Sequence, residues 1–381
     1  MNRLRVLHVY RTYFPDPPGG LQEAMRQIAV STASKGVTSR IFVLSPNPVP
    51  MKLMRPEGEV VRSKSWCAPA SCDLGGASSF LCFLDVLKWA DVIHYHFPWP
   101  FGDLLHLTAR PKLPTVMTYH SDVVRQRMLG AVYSPIRQLM LQSMTRIVAT
   151  SPAYARTSPV LSESPVRERV DVIPLGIDEG SYAWSEDESV LRRIGLDASE
   201  PFFLFIGVLR YYKGLHTLIE AARSVNAKVV IAGSGPEGST LRLQAKQCGA
   251  DNVIFAGQVT DAEKVTLLRQ CCALVLPSHL RSEAFGMVLV EAAMFGKPMI
   301  SCEIGTGTSF VNADGETGYV VPPENPQYLA DAMRLLLSDK LLAKRFGLAA
   351  RQRYERLFSG EALGAAYATL YCKVAKNKEI P

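Results

Sequence analysis

The chain has 381 residues, 48% of them apolar and 20% charged, with a mean hydropathy of +0.07. That is enough for two ordinary α/β cores and excludes a disordered or membrane-embedded chain; Asp85, Lys88 and Asp91 keep the greasiest region short of the ~18 apolar residues a spanning helix needs. The net charge is +7, and residues 1–180 hold 20 Lys and Arg against 14 Asp and Glu, an excess that suits a phospholipid surface, a polyprenyl diphosphate or a nucleic acid, or is an ordinary solvated basic face.

Taken in order, Arg5–Val9 predicts a buried first strand with no cleavable leader before it, which sets the expectation of a cytoplasmic protein. The eight cysteines contain no C-x-x-C pair and read as reduced thiols packed as small hydrophobes. A turn-rich loop, Phe14-Pro-Asp-Pro-Pro-Gly-Gly20, leads into a helix from Gln22 to about Ser34. Strands follow at Arg40–Leu44, Asp91–His96, Thr115–Tyr119, Arg146–Thr150 and Val170–Ile173, an alternation that indicates a parallel sheet with crossover helices. His94 and His96 share one face of their strand, but two histidines without a visible third ligand rarely hold a metal, so an acceptor-side or packing role is preferred. The run Phe97-Pro-Trp99-Pro-Phe101 fits an acceptor sugar, a membrane surface or a packed loop.

After Pro174–Asp178 and an acidic stretch at Ser185–Glu188, the pattern restarts with Phe202–Ile206. It continues through Lys228–Ala232, Val253–Phe255, Ala273–Leu276 and Pro298–Ser301, with helices near Leu215–Ser224, Glu237–Cys248 and Met287–Phe295, and a helical tail from Pro326. The expected division is 1–178, 179–358 and a last helix, 359–381, returning to the first domain. The fold class is α/β, two Rossmann-like doubly wound domains with the functional cleft between them.

The strongest chemical signal is Pro277-Ser-His-Leu-Arg-Ser-Glu283-Ala-Phe-Gly-Met-Val-Leu-Val-Glu291. It follows a strand and opens a helix, so the amides of Phe285, Gly286, Met287 and Val288 offer a phosphate the positive end of a helix. Glu283 falls in the preceding loop, and Glu291 lies about a turn inside, placed to accept two ribose hydroxyls. An N-capped helix with one exposed Glu is the plainer alternative.

This E-x7-E segment resembles the retaining glycosyltransferases of family 4, with the two-Rossmann architecture called GT-B, and the similarity runs through the whole chain. The resemblance implies that Glu283 lies near the donor sugar, that the backbone amides of Phe285–Val288 bind the diphosphate, and that Glu291 binds the ribose. It also implies that Gly19 and Gly20 lie on the loop closing over the diphosphate, that His120 in Thr118-Tyr-His-Ser-Asp122 hydrogen-bonds the transferred sugar, and that Gly233 sits in the donor-side turn Ala232–Pro236. Val172–Asp178 matches the interdomain linker and Glu316–Pro323 a late hairpin-like segment. One departure stands out. The family's Gly-Arg-x4-Lys-Gly reads Gly207-Val-Leu-Arg210-Tyr-Tyr-Lys213-Gly214 here: Lys213 keeps its place, Val208 takes the usual Arg position, and Arg210, expected on the same side of an extended strand, supplies the lost charge or is a surface cation.

With no Asp-x-Asp pair in the chain, no metal or other cofactor is expected; Lys213, Arg210 and helix amides neutralise the leaving diphosphate. No carboxylate nucleophile accompanies His120, so retention would come from same-face attack assisted by the diphosphate. The wording of the motifs is similar to bacterial O-polysaccharide enzymes, which implies a GDP-mannose or GDP-D-rhamnose donor and a polyprenyl-diphosphate-linked saccharide acceptor at the inner face of the cytoplasmic membrane, and no nucleic-acid partner. The alternatives are a UDP- or ADP-sugar transferase with a soluble acceptor, a nucleotide-sugar epimerase, and a non-catalytic sugar-nucleotide-binding scaffold.

Overall fold

The computed structural model describes residues 3–16, 19–69, 72–122, 127–182, 184–197 and 200–376, of which 127–132 by their backbone alone. Pro17 and Pro18 of the turn-rich loop lie outside the described residues. The chain divides into two compact units, Met1–Asp178 with Ser359–Pro381, and Glu179–Phe358.

The first unit is built on eight strands: β1 (Leu4–Val9), β2 (Val37–Ser45), β3 (Lys52–Arg55), β4 (Gly58–Lys64), β5 (Val92–Phe97), β6 (Thr115–Tyr119), β7 (Arg146–Ala149) and β8 (Val170–Val172). Their order in the sheet is β3-β4-β2-β1-β5-β6-β7-β8, parallel except for the β3–β4 hairpin at the edge. β5 and β6 are buried at every position, the pattern of central strands covered on both faces. One face is covered by the helices Gly20–Ala33 and Gly360–Lys376, which close a cluster of Val6, Ile28, Val92, Val116, Val148, Leu363, Tyr367, Tyr371 and neighbours. Each such side chain, fully buried, contributes ~1.5–3 kcal/mol, and the last helix belongs to this core although it is last in the chain.

The second unit has six parallel strands, β9 (Phe202–Ile206), β10 (Lys228–Ala232), β11 (Val253–Gly257), β12 (Ala273–Leu276), β13 (Met299–Cys302) and β14 (Gly318–Val321), in the order β11-β10-β9-β12-β13-β14. Renumbered within the unit this is the 3-2-1-4-5-6 order of the Rossmann fold. The strand order reverses between β9 and β12, so the connections after those two parallel strands lead to opposite faces of the sheet, and that is where a doubly wound sheet opens a crevice. Glu316–Pro323 is not hairpin-like. It supplies β14, which pairs parallel to β13 with Met299 opposite Gly318, because the chain reaches it by a crossover through the short helix Thr308–Val311. No helix among the described residues is long and apolar enough to cross a membrane.

Candidate functional site

In the second unit the crevice loops are bound to each other. The loop after β12 donates from His279 N to Tyr212 O of the loop after β9 across 3.0 Å, and Gly233 in the turn after β10 (φ +137°) comes so close to Gly207 that a Cβ there would lie 2.0 Å from its carbonyl oxygen. Gly233 thus has a packing reason to be glycine, independent of any ligand. Arg210 does not continue a strand: β9 ends at Ile206, and Arg210 is an exposed residue opening the single turn Tyr211–Lys213. Its charge nonetheless reaches Lys213 and opposes it. Val208 is exposed in the same loop.

Lys213 is nearly buried and pairs with the Glu283 carboxylate, which also accepts from Ser278 Oγ at 3.3 Å. Burial works against the ammonium, and the adjacent Glu283 outweighs it and leaves the Lys213 pKa raised. Two residues that sequence reasoning assigns to different parts of the donor are therefore paired with each other. The Glu283 carbonyl accepts from Thr306 Oγ1 at 2.8 Å, which fixes the loop from behind.

Gly286 takes a left-handed conformation (φ +83°) and starts the helix Met287–Met294, a turn that only glycine adopts cheaply. Beyond it no group among the described residues accepts from the amides of Phe285, Gly286, Met287 or Val288. Orphan donors at a helix start are an anion site in waiting, and Phe285 and Gly286 are themselves buried. One turn on, Glu291 Oε1 accepts from Lys264 Nζ at 2.8 Å and from the Tyr182 hydroxyl at 3.2 Å, with Lys264 lying 4.9 Å from the Tyr182 ring centre. Both partners sit on Oε1, which leaves Oε2 without a donor among the described residues. Sequence reading misses Lys264 and Tyr182, and also His279, which is buried with neither ring nitrogen hydrogen-bonded and packs edge-on to Tyr211 and His216. Burial lowers the His279 pKa.

In the first unit Gly19 caps the helix Gly20–Ala33 and Gly20 begins it. A Cβ on Gly19 would lie 2.7 Å from Gln22 Oε1, and Gln22 reaches back to Thr12 Oγ1 at 2.8 Å. The loop before them is pinned by two buried polar contacts, Tyr13 to Glu57 (2.7 Å) and Asp16 to Arg62 (3.4 Å), so its described part, Tyr10–Asp16, is anchored.

His120 follows β6, its amide donating to Phe97 O at 3.2 Å, and the turn after it is fixed by Asp122, which accepts from Tyr119 and Ser158 hydroxyls at 3.1 and 2.8 Å. The ring is buried, which pushes its pKa down to about 3. His94 and His96 share a face as expected, and β1 adds His8 opposite His94, a third imidazole that the sequence leaves unconnected. Ligating nitrogens of the three lie within 4.8 Å of one another. Both nitrogens of His94, however, are hydrogen-bonded, to the Tyr371 hydroxyl and Thr118 Oγ1, each at 2.7 Å. His94 is thus a packing residue that ties the last helix to the sheet. Phe97 and Trp99 of the aromatic run are buried too, and Trp99 Nε1 donates to Asp73 O at 2.9 Å; these two belong to a packed loop.

Comparison with known proteins identifies the family and the fold. The sequence model described as "Glycosyl transferases group 1" matches residues 187–353, and that described as "Glycosyltransferase Family 4" matches residues 18–180. The chain is 39% identical to O-antigen chain mannosyltransferase C of Escherichia coli over 98% of its own length and 100% of that protein's, and 44% identical to D-rhamnosyltransferase WbpZ of Pseudomonas aeruginosa over 93% and 92%. Among solved structures it resembles a sucrose-phosphate synthase of Thermosynechococcus elongatus (TM-score 0.79, 22% identity, 98% and 100% of the two chains) and the Anabaena protein HepE in complex with UDP and glucose (TM-score 0.77, 18% identity, 97% and 100%). These last two likenesses are of fold.

Proposed function

The chain belongs to glycosyltransferase family 4 and has the GT-B fold, and from that premise we propose that it transfers mannose or D-rhamnose from a GDP-sugar, with retention, to a polyprenyl-diphosphate-linked saccharide in O-antigen synthesis. The observation that carries the donor reading is the arrangement at the β9/β12 switch point: a charged Lys213, four amides without acceptors and a carboxylate, Glu291, with one oxygen free of donors. A nucleoside diphosphate presents the complementary set, two phosphates and a ribose diol. The choice of sugar and of O-antigen is supported by the names of the two relatives of 39% and 44% identity.

In this reading Lys213 and the amides of Phe285–Val288 take the negative charge that develops on the departing diphosphate, with Arg210, Gly233, Gly19 and Gly20 as further donor-binding residues. Preorganised donors of this kind need no rearrangement as the bond breaks. Glu291 holds the ribose, Glu283 keeps Lys213 charged and near the sugar, and His120 hydrogen-bonds a sugar hydroxyl. The acceptor hydroxyl attacks the anomeric carbon on the face the diphosphate leaves, and a phosphate oxygen takes its proton, so that no covalent enzyme intermediate and no metal are required. Peripheral docking on the inner membrane face is supported by exposed Val49, Met51, Met54, Trp66 and Leu81, which fall between residues 49 and 81 with exposed Lys52 and Lys64 among them.

The test is mass spectrometry of products from GDP-mannose, GDP-D-rhamnose, UDP-glucose and ADP-glucose with a synthetic lipid-diphosphate GlcNAc acceptor, and NMR of the new linkage. One added hexose or deoxyhexose from a GDP-sugar, α-linked from an α-donor, is expected. Transfer only from UDP- or ADP-sugars, free epimerised nucleotide sugar, or binding without turnover would each replace the proposal.

A further inference from the structure

Three histidines of the first unit join end to end. His8 Nδ1 faces His96 Nε2 at 3.2 Å, and His96 Nδ1 faces His120 Nε2 at 3.1 Å. At the inner end His8 Nε2 faces the Ser39 hydroxyl at 3.4 Å; at the outer end His120 Nδ1 meets no partner among the described residues. All three rings are buried. Burial keeps them neutral, lowering His8 and His120 to about 3 and His96 well below its ordinary value.

A neutral imidazole carries one N–H and one lone pair, and each link in the chain needs one proton between two nitrogens. Because every link runs from the Nδ1 of one ring to the Nε2 of the next, the three rings must share a tautomer. If one ring differs, a link holds either two protons or none. With all three protonated at Nδ1, His120 offers its outer N–H; with all three protonated at Nε2, it offers a lone pair. Ser39 decides between them. Its buried hydroxyl has no other acceptor among the described residues, and a buried donor without an acceptor is costly, so the serine donates to His8 Nε2 and the chain is protonated at Nδ1 throughout.

We infer that His8 and His96 are positioning residues that fix the tautomer of His120, so that its outward Nδ1–H is held ready as a donor to an oxygen of the transferred sugar. The second half of this statement rests on the proposed contact of His120 with that sugar; the shared tautomer does not. His94, whose two nitrogens are occupied by Tyr371 and Thr118, stands outside the chain of links.

Long-range 1H–15N correlation of the full-length, ligand-free enzyme labelled at its seven histidines tests the inference directly. Signals of His8, His96 and His120, assigned by single substitution, should all show the Nδ1–H pattern near neutral pH. Differing tautomers among the three would overturn it, as would a one-to-one shift of the His8 and His96 signals on adding zinc, which would make the cluster a metal site. His96→Phe should release His120 from the Nδ1–H form and lower kcat about tenfold, the loss of roughly one oriented hydrogen bond, with the donor KM within twofold. His96→Asn, whose amide can still donate to His120 Nε2, should restore the tautomer and most of the rate. An unchanged His120 signal and kcat in His96→Phe sinks the proposal, and if that variant does not fold, the wild-type spectrum decides. Full activity of His120→Ala with a shared tautomer in the wild type would remove the sugar contact alone.

Discussion

At the carboxyl ends of its central strands the first unit gathers four uncharged imidazoles bonded to one another or to their neighbours at every ring nitrogen but the outer one of His120, whereas the second unit gathers ion pairs and amides with no acceptor among the described residues. Both are doubly wound parallel sheets with a switch point, so architecture alone does not decide what the strand ends do. The first unit removes charge and fixes direction through hydrogen bonds. The second keeps charge and leaves donors unspent.

The contrast is broken most severely at Lys213. Replacing it with Ala removes the cation and strands Glu283, and turnover should fall by about 10²–10³-fold, the range for loss of one oriented charge-stabilising donor; a Lys213→Ala enzyme that folds and turns over at the wild-type rate would make the pair structural. Next comes Glu291→Gln, where loss of charge-assisted hydrogen bonds of about 1.5–3 kcal/mol should raise the donor KM about 10–100-fold with a smaller change in kcat, read by steady-state kinetics against GDP-sugar concentration. An unaltered KM would separate Glu291 from the ribose.

Acid sharpens the comparison. Burial pushes His8 and His120 to about 3 and His106 to about 4, and holds His94 and His96 well below the ordinary value of 6.5. The denatured chain binds protons at these sites from about pH 6.5 downward while the folded chain does not, so their contribution is intact above 6.5 and is lost as pH falls toward 3. Asp103, raised by burial to about 8, and Asp73, also raised by burial, act in the opposite sense, losing stability as pH rises above the ordinary 3.8, but they are two carboxylates against five imidazoles. In the second unit His279 is lowered, while Lys213 is raised, so its contribution persists through neutrality and disappears only above about 10.5. Hydrogen exchange between pH 7.5 and 5 should therefore show protection lost first in β1, β5 and β6; simultaneous loss in β9 and β12 would contradict the contrast. The smallest effect is expected at Arg210, an exposed cation whose removal should cost about 0.2–1 kcal/mol, or up to about fivefold in kcat/KM, and less as salt is raised.

Much of the fold was legible because central parallel strands are continuous apolar runs: β5, β6, β9, β10 and β12 stand out as such. The β3–β4 hairpin did not, since an edge strand with Lys52 and Met54 exposed has neither the composition nor the alternation of a buried one. The E-x7-E helix was readable because its chemistry is local. His8 was not, because a histidine inside Leu4–Val9 looks like any core residue, and its link to His96 spans 88 positions through strand register. Tyr182 lies 109 positions from Glu291, and Glu283 and Lys213 meet across 70; pairings of that kind exist only once the sheet is assembled. The step from Val208 to Arg210 was misjudged for a local reason, since the strand stops before either.

The place of the last helix has a consequence for synthesis. Tyr367 and Tyr371, whose hydroxyls bond Thr118 and His94, are translated after every residue of the second unit, which is one unbroken segment. As the polypeptide leaves the ribosome, the later unit can therefore complete its core while the earlier one still waits for its closing helix. The usual order of vectorial folding, amino-terminal body first, is inverted, and a chain truncated before Gly360 would retain a finished Glu179–Phe358 body beside a sheet whose buried histidine face has no cover.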